Sequence, residues 1–455
     1  MHEHTTSPSA SVKEWRDFLK ANPDVEAIDA FTIDVNGNTA GKRLPASDGD
    51  KLFEDGVQYS ACALVADSRG LGQGPLGIGK VDGDPDGTAK PLPGTLQRVP
   101  WTSTPTAQVV CQMADVHAGK SLWFDPRIIL ADIVGACRAA GLHPVVACEL
   151  EFYLIDPKRG PEGQIHVGAL PGRTPSRRAA NLSLEAVEDA SAFLSRVNEA
   201  AKIQGLPVCG AVAEYGIGQY EVNLRHVADP LLATDHAVLL KRLVKGVARS
   251  LGLDATFMAK PFAAQPGNGL HVHVSLVDEA GKNRFGAAGG EVLLRRAIAG
   301  AQELMYDSLA FFAPNFNSQR RYLGLFVPTT RDWDHNNRSV AFRVPAAHGQ
   351  ARRLEHRVAG ADASPHLTVA AILAGILHGV RNELEPTEPL GGNASTASDA
   401  DFPSDLIVAL SRLEGSQLLA QYMPAKFLQL YAELKRGEYG ELIEEIFTRE
   451  YDFYA

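Results

Sequence analysis

The stretch 267–275, Gly267-Asn268-Gly269-Leu270-His271-Val272-His273-Val274-Ser275, runs from a glycine-rich turn into alternating apolar and reactive residues. In an extended chain successive side chains point to opposite sides, so His271, His273 and Ser275 share one face and Leu270, Val272 and Val274 the other. Alone, this alternation also describes a half-buried strand with a wet side. Other stretches repeat the theme. Glu149 and Glu151 share a face of the strand-like run 145–154, and Glu214 and Glu221 flank a glycine-rich bend that can aim both at one point. Arg353, Glu355 and Arg357 share a face within 352–358. Carboxylates spaced like Glu149 and Glu151 repel one another, cheaply in water but at high cost inside a protein unless a cation or a proton intervenes. Taken singly, each stretch also fits a salt-bridged surface strand.

Together these segments offer Glu149, Glu151, Glu214, Glu221 and Glu355 with His271, and beside them Arg321, Arg338, Arg343, Arg353 and Arg357. Hard carboxylate ligands with one imidazole suit Mg²⁺ or Mn²⁺ and not a thiolate-held zinc. Two such ions near clustered arginines meet the demand of phosphoryl transfer, whose transition state spreads negative charge over several oxygens. The composite reading is an ATP-dependent enzyme. Neither a G-x-x-x-x-G-K-[ST] loop nor a G-x-G-x-x-G after a strand is present, so neither common nucleotide-binding fold is indicated.

The elements that must carry these residues follow from pattern. Residues 11–21 place Val12, Trp15, Phe18 and Leu19 at helical spacing, and 27–35 reads as a strand turning at Asn36-Gly37 into a second strand near 42–44. Asp34, just before that turn, fits a turn-stabilising carboxylate. Residues 70–101 are crowded with Gly and Pro and predict irregular structure. A strand is expected at 107–113, and Asp125-Pro126 reads as an N-cap and first turn opening a helix to 140. Further helices are expected over 182–203, 231–251, 297–312 and 367–384, an exposed mobile loop over 385–405, and a charged helical tail over 424–454. The domain boundary is expected near the end of the 107–113 strand, giving units 1–116 and 117–455.

The 455 residues suffice for a real core, and the net charge of −10 disfavours nucleic acid and anionic membranes as partners. Five scattered cysteines without C-x-x-C spacing predict reduced, mostly buried thiols. The first residues lack a basic region followed by an apolar run, and no apolar stretch is long enough to span a bilayer, so a cytoplasmic protein is expected.

Six motifs in order carry a resemblance: Cys-Glu-Leu-Glu-Phe at 148–152, Glu-Tyr-Gly-Ile-Gly-Gln-Tyr-Glu at 214–221, Phe-Met-Ala-Lys-Pro at 257–261, the stretch 267–275, Asn-Arg-Ser at 337–339 and Arg-Leu-Glu-His-Arg at 353–357. They resemble the signatures of the glutamine synthetase family across nearly the whole chain. The resemblance implies an α+β fold: a small N-terminal β-grasp-like domain and a large catalytic domain whose antiparallel sheet curves into a funnel flanked by helices. It implies a homo-oligomer, a double-ring dodecamer. It assigns Glu151, Glu214 and Glu221 to one Mg²⁺ or Mn²⁺ and Glu149, His271 and Glu355 to the other. His273 and Ser275 would meet the nucleotide, Arg343 and Arg353 its phosphates, and Arg338 the transferred phosphoryl group. Gly267, Arg321 and Arg357 match glutamate-binding positions, and Asp34 matches an ammonium-side aspartate given by a neighbouring subunit. Asp34, Glu214 and Arg338 are thus the catalytic candidates. The implied reaction makes γ-glutamyl phosphate from glutamate and ATP, which an uncharged amine then attacks.

The pattern breaks where ammonia-using members carry a flap glutamate: here stands Val327, within Phe326-Val327-Pro328. Tyr59-Ser60-Ala61-Cys62-Ala63 replaces an aspartate-glycine-serine-serine motif, and Pro266 and Ser364 replace common asparagines. Gly83-Asp84-Pro85-Asp86, Pro93-Gly94-Thr95-Leu96 and Val99-Pro100-Trp101 look more like the γ-glutamylpolyamine synthetases. Losing a fixed anion weakens ammonium binding and leaves room for an alkyl chain. The expectation is γ-glutamylation of putrescine, a longer polyamine or a small alkylamine. An ammonia-using glutamine synthetase and a non-catalytic oligomeric regulator are the alternatives.

Overall fold

The computed structural model describes residues 9–116, 118–170, 172, 181–324, 326–397 and 399–454. Its strands are β1 (Ala27–Ile33), β2 (Thr39–Pro45), β3 (Val57–Ser60), β4 (Asp86–Pro91), β5 (Gln97–Val99), β6 (Thr106–Asp115), β7 (His143–Ile155), β8 (Val208–Ala213), β9 (Gln219–Leu224), β10 (Asp254–Thr256), β11 (Leu270–Val277), β12 (Trp333–His335), β13 (Phe342–Val344) and β14 (Leu354–His356). They form two sheets. The first runs β2-β1-β6-β4-β3 with β5 also on β6, and the second runs β12-β13-β14-β11-β7-β9-β8 with β10 on β7.

In the first sheet every residue of β1 is buried, because β1 lies between β2 and a parallel β6 and the helix Val12–Ala21 seats Trp15 in the same core. The turn after β1 is held by Asp34, whose Oδ1 accepts the backbone N–H of Asn36 (2.9 Å) and of Asn38 (2.8 Å). The Gly/Pro-rich stretch is more regular than expected. β4 and β5 form within it although the alternate residues of Asp86-Gly-Thr-Ala-Lys-Pro91 that face inward are small, since β4 is secured by β3 on one side and β6 on the other. Local propensity yields here to the ladder on both edges.

The second sheet is curved and mixed, not wholly antiparallel as expected: β12 and β13 run parallel. Strands of three residues are only about 10 Å long, so the short excursion 336–341 can carry the chain back without a crossover helix. β7 is the spine, with β9, β10 and β11 paired along its length. One of its faces packs on the helix Pro230–Ser250. The helix Pro365–Arg381 is buried nearly throughout and lies against Gly290–Leu304 and Pro126–Ala139. Its contact with Gly290–Leu304 runs through glycines. A Cβ on Gly379 would sit 1.9 Å from the Arg296 carbonyl oxygen, so nothing larger fits.

Three expected helices are interrupted. The 182–203 helix breaks at Ala190 into Leu184–Asp189 and Ser191–Ile203, and the 297–312 helix stops at Leu304 and resumes at Leu309–Phe312. The tail divides into Ala425–Ile443 and Thr448–Tyr454. The 385–405 loop is not free: Ala394 is buried and its N–H donates to Ser339 Oγ at 2.9 Å. Cys111, Cys137 and Cys148 are buried free thiols, whereas Cys62 is half-buried and Cys209 exposed. Among the described residues no helix is long and apolar enough to cross a membrane.

Candidate metal and substrate site

Strand register assembles the site. β11 pairs with β7 so that His271 faces Glu149, β9 pairs with β7 so that Glu221 faces Glu151, and β14 pairs with β11 so that Glu355 faces His273. Directly opposed residues share a face of the sheet, so six reactive side chains from four strands converge. The apolar alternates Cys148, Leu150, Val272 and Val274 fill the core behind them. Both faces of β11 are therefore buried, and the wet side of the simpler reading does not exist.

Glu214 joins from the bend between β8 and β9. Its N–H bonds to the Gln219 carbonyl (2.9 Å), and a side chain on Gly216 would strike the Tyr153 hydroxyl at 1.9 Å. Gln219 is a residue to which the sequence pattern assigned no role. Buried, it donates to the Gly267 carbonyl (2.9 Å) and Asn268 Oδ1 (3.0 Å), and accepts from the Gly216 N–H (2.9 Å). It thereby locks the bend to the 267–269 turn. Its position between two glutamates and beside glycines was the available signal.

Ligand atoms of Glu151, Glu214 and Glu221 lie within 4.8 Å of one another, as do those of Glu149, Glu221 and His271. The first group is the set expected for one ion. The second brings Glu221 to Glu149 and His271, two of the three residues expected for the other ion, and Glu355 lies opposite His273 on the same face. The Glu355 carboxylate is engaged by Arg343 Nη1 (2.5 Å) on one oxygen and by Arg357 Nη1 on the other. Flanking guanidinium groups on β13 and after β14 claim it, so it neutralises arginines in this arrangement.

The electrostatics fit divalent cations. Burial, and then Glu149, Glu151 and Glu214, push the Glu221 carboxyl up to about 9. Burial and Glu151 raise Glu214 to about 7, against the pull of Arg338 and Arg357. Burial works in the same sense on Glu149, but the His273 and His271 imidazoles outweigh it and hold this carboxyl well below the usual range. Glu355 is likewise brought down to about 2 despite burial, by His273, Arg357, His271 and Arg343. Mutually repelling oxygens in a water-poor space have an unmet need for positive charge, and oxygen donors with one imidazole match Mg²⁺ or Mn²⁺.

The arginines differ in placement. Arg321 is 4% exposed, donates through Nη1 to the Val358 carbonyl (2.8 Å) and flanks the glycine turn. A Cβ on Gly267 would lie 2.8 Å from Arg321 Cγ, and one on Gly269 would lie 2.9 Å from both Arg321 Nη2 and His271 Nε2. The turn is glycine because the guanidinium and the imidazole lie against it. Arg338 is exposed, and its carbonyl accepts from Arg357 Nε (3.1 Å). Arg353 Nε donates to His273 Nδ1 (3.0 Å), so in the neutral ring the proton sits on Nε2, which lies 2.9 Å from Glu149 Oε1 without regular hydrogen-bond alignment. Ser275 is buried on the same face, two residues further along β11. Asp34 is not brought to this cluster. Within its own chain it is buried in its turn, and burial raises its carboxyl to about 7.

A carboxylate cluster suited to divalent cations, set on a curved sheet, ringed by arginines and backed by helices, is the kind of site that metal-dependent phosphoryl transfer requires. The chain belongs to the glutamine synthetase family: residues 124–454 match "Glutamine synthetase, catalytic domain". It is 38% identical over 436 residues to gamma-glutamylputrescine synthetase PuuA of Escherichia coli (strain K12), covering 94% of this chain and 92% of that one. It is 31% identical over 437 residues to glutamate–isopropylamine ligase of Pseudomonas sp, covering 93% of each. A solved structure described as "Apo GmaS without ligand" shares the fold at a TM-score of 0.82 and 24% identity, over 96% of this chain and 99% of that one. The protein is an enzyme, an ATP-dependent glutamate ligase of the glutamine synthetase type.

Proposed function

We propose that the enzyme joins the γ-carboxyl group of glutamate to a primary amine, with putrescine, a longer polyamine or a small alkylamine as acceptor. The observation that carries this reading is the flap: the segment 322–328 contains no acidic residue, and its half-buried Val327 stands where an ammonia-using enzyme needs an anion. Relatives named for putrescine and isopropylamine support it.

A carboxylate is a poor acyl donor until one of its oxygens becomes part of a good leaving group. A γ-carboxylate oxygen attacks the terminal phosphorus of ATP, ADP departs, and the acyl phosphate results. The amine lone pair then attacks the carbonyl carbon, phosphate leaves, and the nitrogen gives up a proton. Divalent ions held by Glu151, Glu214 and Glu221, and by Glu149, His271 and Glu355 with Glu221 close by, would neutralise the phosphate oxygens. In this reading Arg338 meets the transferred phosphoryl group, Arg343 and Arg353 the nucleotide phosphates, and His273 and Ser275 the nucleoside side. Gly267, Arg321 and Arg357 hold glutamate. Glu214 takes the proton of the amine, a role supported by its place on the β8–β9 bend at the edge of the carboxylate cluster. We also propose a division after residue 116, supported by the first sheet drawing all its strands from residues up to Asp115 and the second from His143 onward.

The test is phosphate release with glutamate, Mg·ATP and a panel of ammonium, methylamine, isopropylamine, putrescine and spermidine. Amine-dependent turnover above the ammonium rate is expected. Turnover with ammonium alone overturns the assignment.

A further inference from the structure

Two half-exposed aromatic residues meet beside the carboxylate cluster. Tyr215 directly follows Glu214 on the β8–β9 bend, and Phe326 lies in the flap after Arg321; they are 50% and 45% exposed. Their rings are near-parallel, with centroids 6.3 Å apart and planes 25° from parallel. Phe326 reaches this position only by adopting φ of +60°, a left-handed conformation that is costly for a bulky side chain. The surroundings sustain that conformation. The Phe326 N–H donates to Ser395 Oγ (3.3 Å), and Ala394 in turn donates to Ser339, next to Arg338. Ile217 is tied by its N–H to Gln265 Oε1 (2.6 Å), which fixes the other side of the bend. The flap is thus joined to the loops at 394–395 and 338–339, and the bend to the loop at Gln265, with an aromatic surface where flap and bend meet.

We propose that Tyr215 and Phe326 select the acceptor, by receiving the carbon chain of the amine while its nitrogen approaches the bend at Glu214. The inference rests on the amine-ligase reading and names specificity residues within it. An apolar aromatic surface gives ammonia nothing to bind, but rewards each methylene it shields from water. A cationic far end on a diamine gains further attraction from the ring faces. Val327, next to Phe326 and half-buried, extends the same apolar edge.

Steady-state kinetics with methylamine, ethylamine, propylamine and butylamine test the proposal on the full-length enzyme. In the unaltered protein the amine KM should fall by about fourfold per added methylene, the equivalent of one methylene leaving water. Phe326→Ala and Tyr215→Ala should each reduce that step to less than about twofold and raise the butylamine KM about tenfold, leaving the KM values for glutamate and ATP within about twofold. Phe326→Tyr, which keeps the ring, should retain the chain-length trend. The proposal is overturned if the trend survives in both alanine variants, or if glutamate and ATP KM values rise in step with that of the amine. It is also overturned if the variants change only the oligomeric state seen by light scattering, which would make the pair a contact between copies. If the unaltered enzyme uses no alkylamine at all, the amine-ligase reading fails instead, and the two failures are distinguishable.

Discussion

Replacing Glu221 by glutamine should stabilise the metal-free enzyme, although it alters a buried residue shared by both ligand groups. Glu221 is 9% exposed, and its carboxyl rises from an ordinary 4.5 to about 9 through burial and the nearness of Glu149, Glu151 and Glu214. At pH 7 the folded protein keeps this group protonated while the unfolded chain ionises it. Over the 2.5 units separating pH 7 from 4.5, that difference works against folding by up to about 3 kcal/mol. Glutamine has the shape of the protonated acid and can still accept from Asn223 Nδ2, which donates to Glu221 Oε1 at 3.0 Å. It carries no such penalty. The sign follows from a folded value raised above the unfolded one: the native protein loses stability as pH climbs from about 4.5 to about 9, and Glu221→Gln does not. Thermal unfolding in EDTA should give equal melting temperatures for the two proteins near pH 4.5. By pH 7 the variant should melt about 3 °C higher, a small shift because a chain of this length has a large unfolding entropy. Saturating Mn²⁺ should reverse the order, since only the native carboxylate can ionise towards both ions, and binding adds stability in proportion to affinity. A variant that melts lower in EDTA at pH 7, or a difference that does not change with pH, refutes the electrostatic account of the cluster.

Three other perturbations probe the frame behind the site. Asp235 is 2% exposed and holds Arg127 (Nη2 to Oδ2, 3.1 Å) and the fully buried His366 (Nε2 to Oδ1, 2.9 Å), so Asp235→Ala should destabilise by about 3–5 kcal/mol in urea unfolding at pH 7. Burial is outweighed by Arg127 and His366, which bring its carboxyl down to about 2; this stability is present above about 3.8 and fades as pH falls through 2, so the gap between the proteins should close in acid. Gly379→Ala should lower the melting temperature, because its Cβ would lie 1.9 Å from a backbone oxygen, whereas Gly135→Ala, mid-helix with nothing within 4 Å, should raise stability by about 0.5–1 kcal/mol.

The chemistry was legible in the sequence where side-chain period alone decides placement. Alternation in 267–275 and 145–154 puts His271 with His273 and Glu149 with Glu151, and those pairs share a face in the structure. The ligand sets were legible only in part, because they depend on register between strands far apart in the chain. That Glu221 lies opposite Glu151 is fixed by β7 and β9 pairing across some seventy residues, and no local pattern encodes it. Glu355 shows the limit most clearly. Its residue type permits a metal ligand or an arginine partner, and only the lateral placement of β13 brings Arg343 opposite it. Asp34 is legible locally, since an acid before Asn36-Gly37 accepts the turn's own N–H groups, while the role the resemblance gives it concerns a neighbouring subunit's site, which no pattern within one chain encodes. β4 was missed because its stability comes from neighbours on both edges and not from its own residues. The common cause is that residue type limits which chemistry a side chain can do, while its partners, set by distant register, decide which chemistry it does.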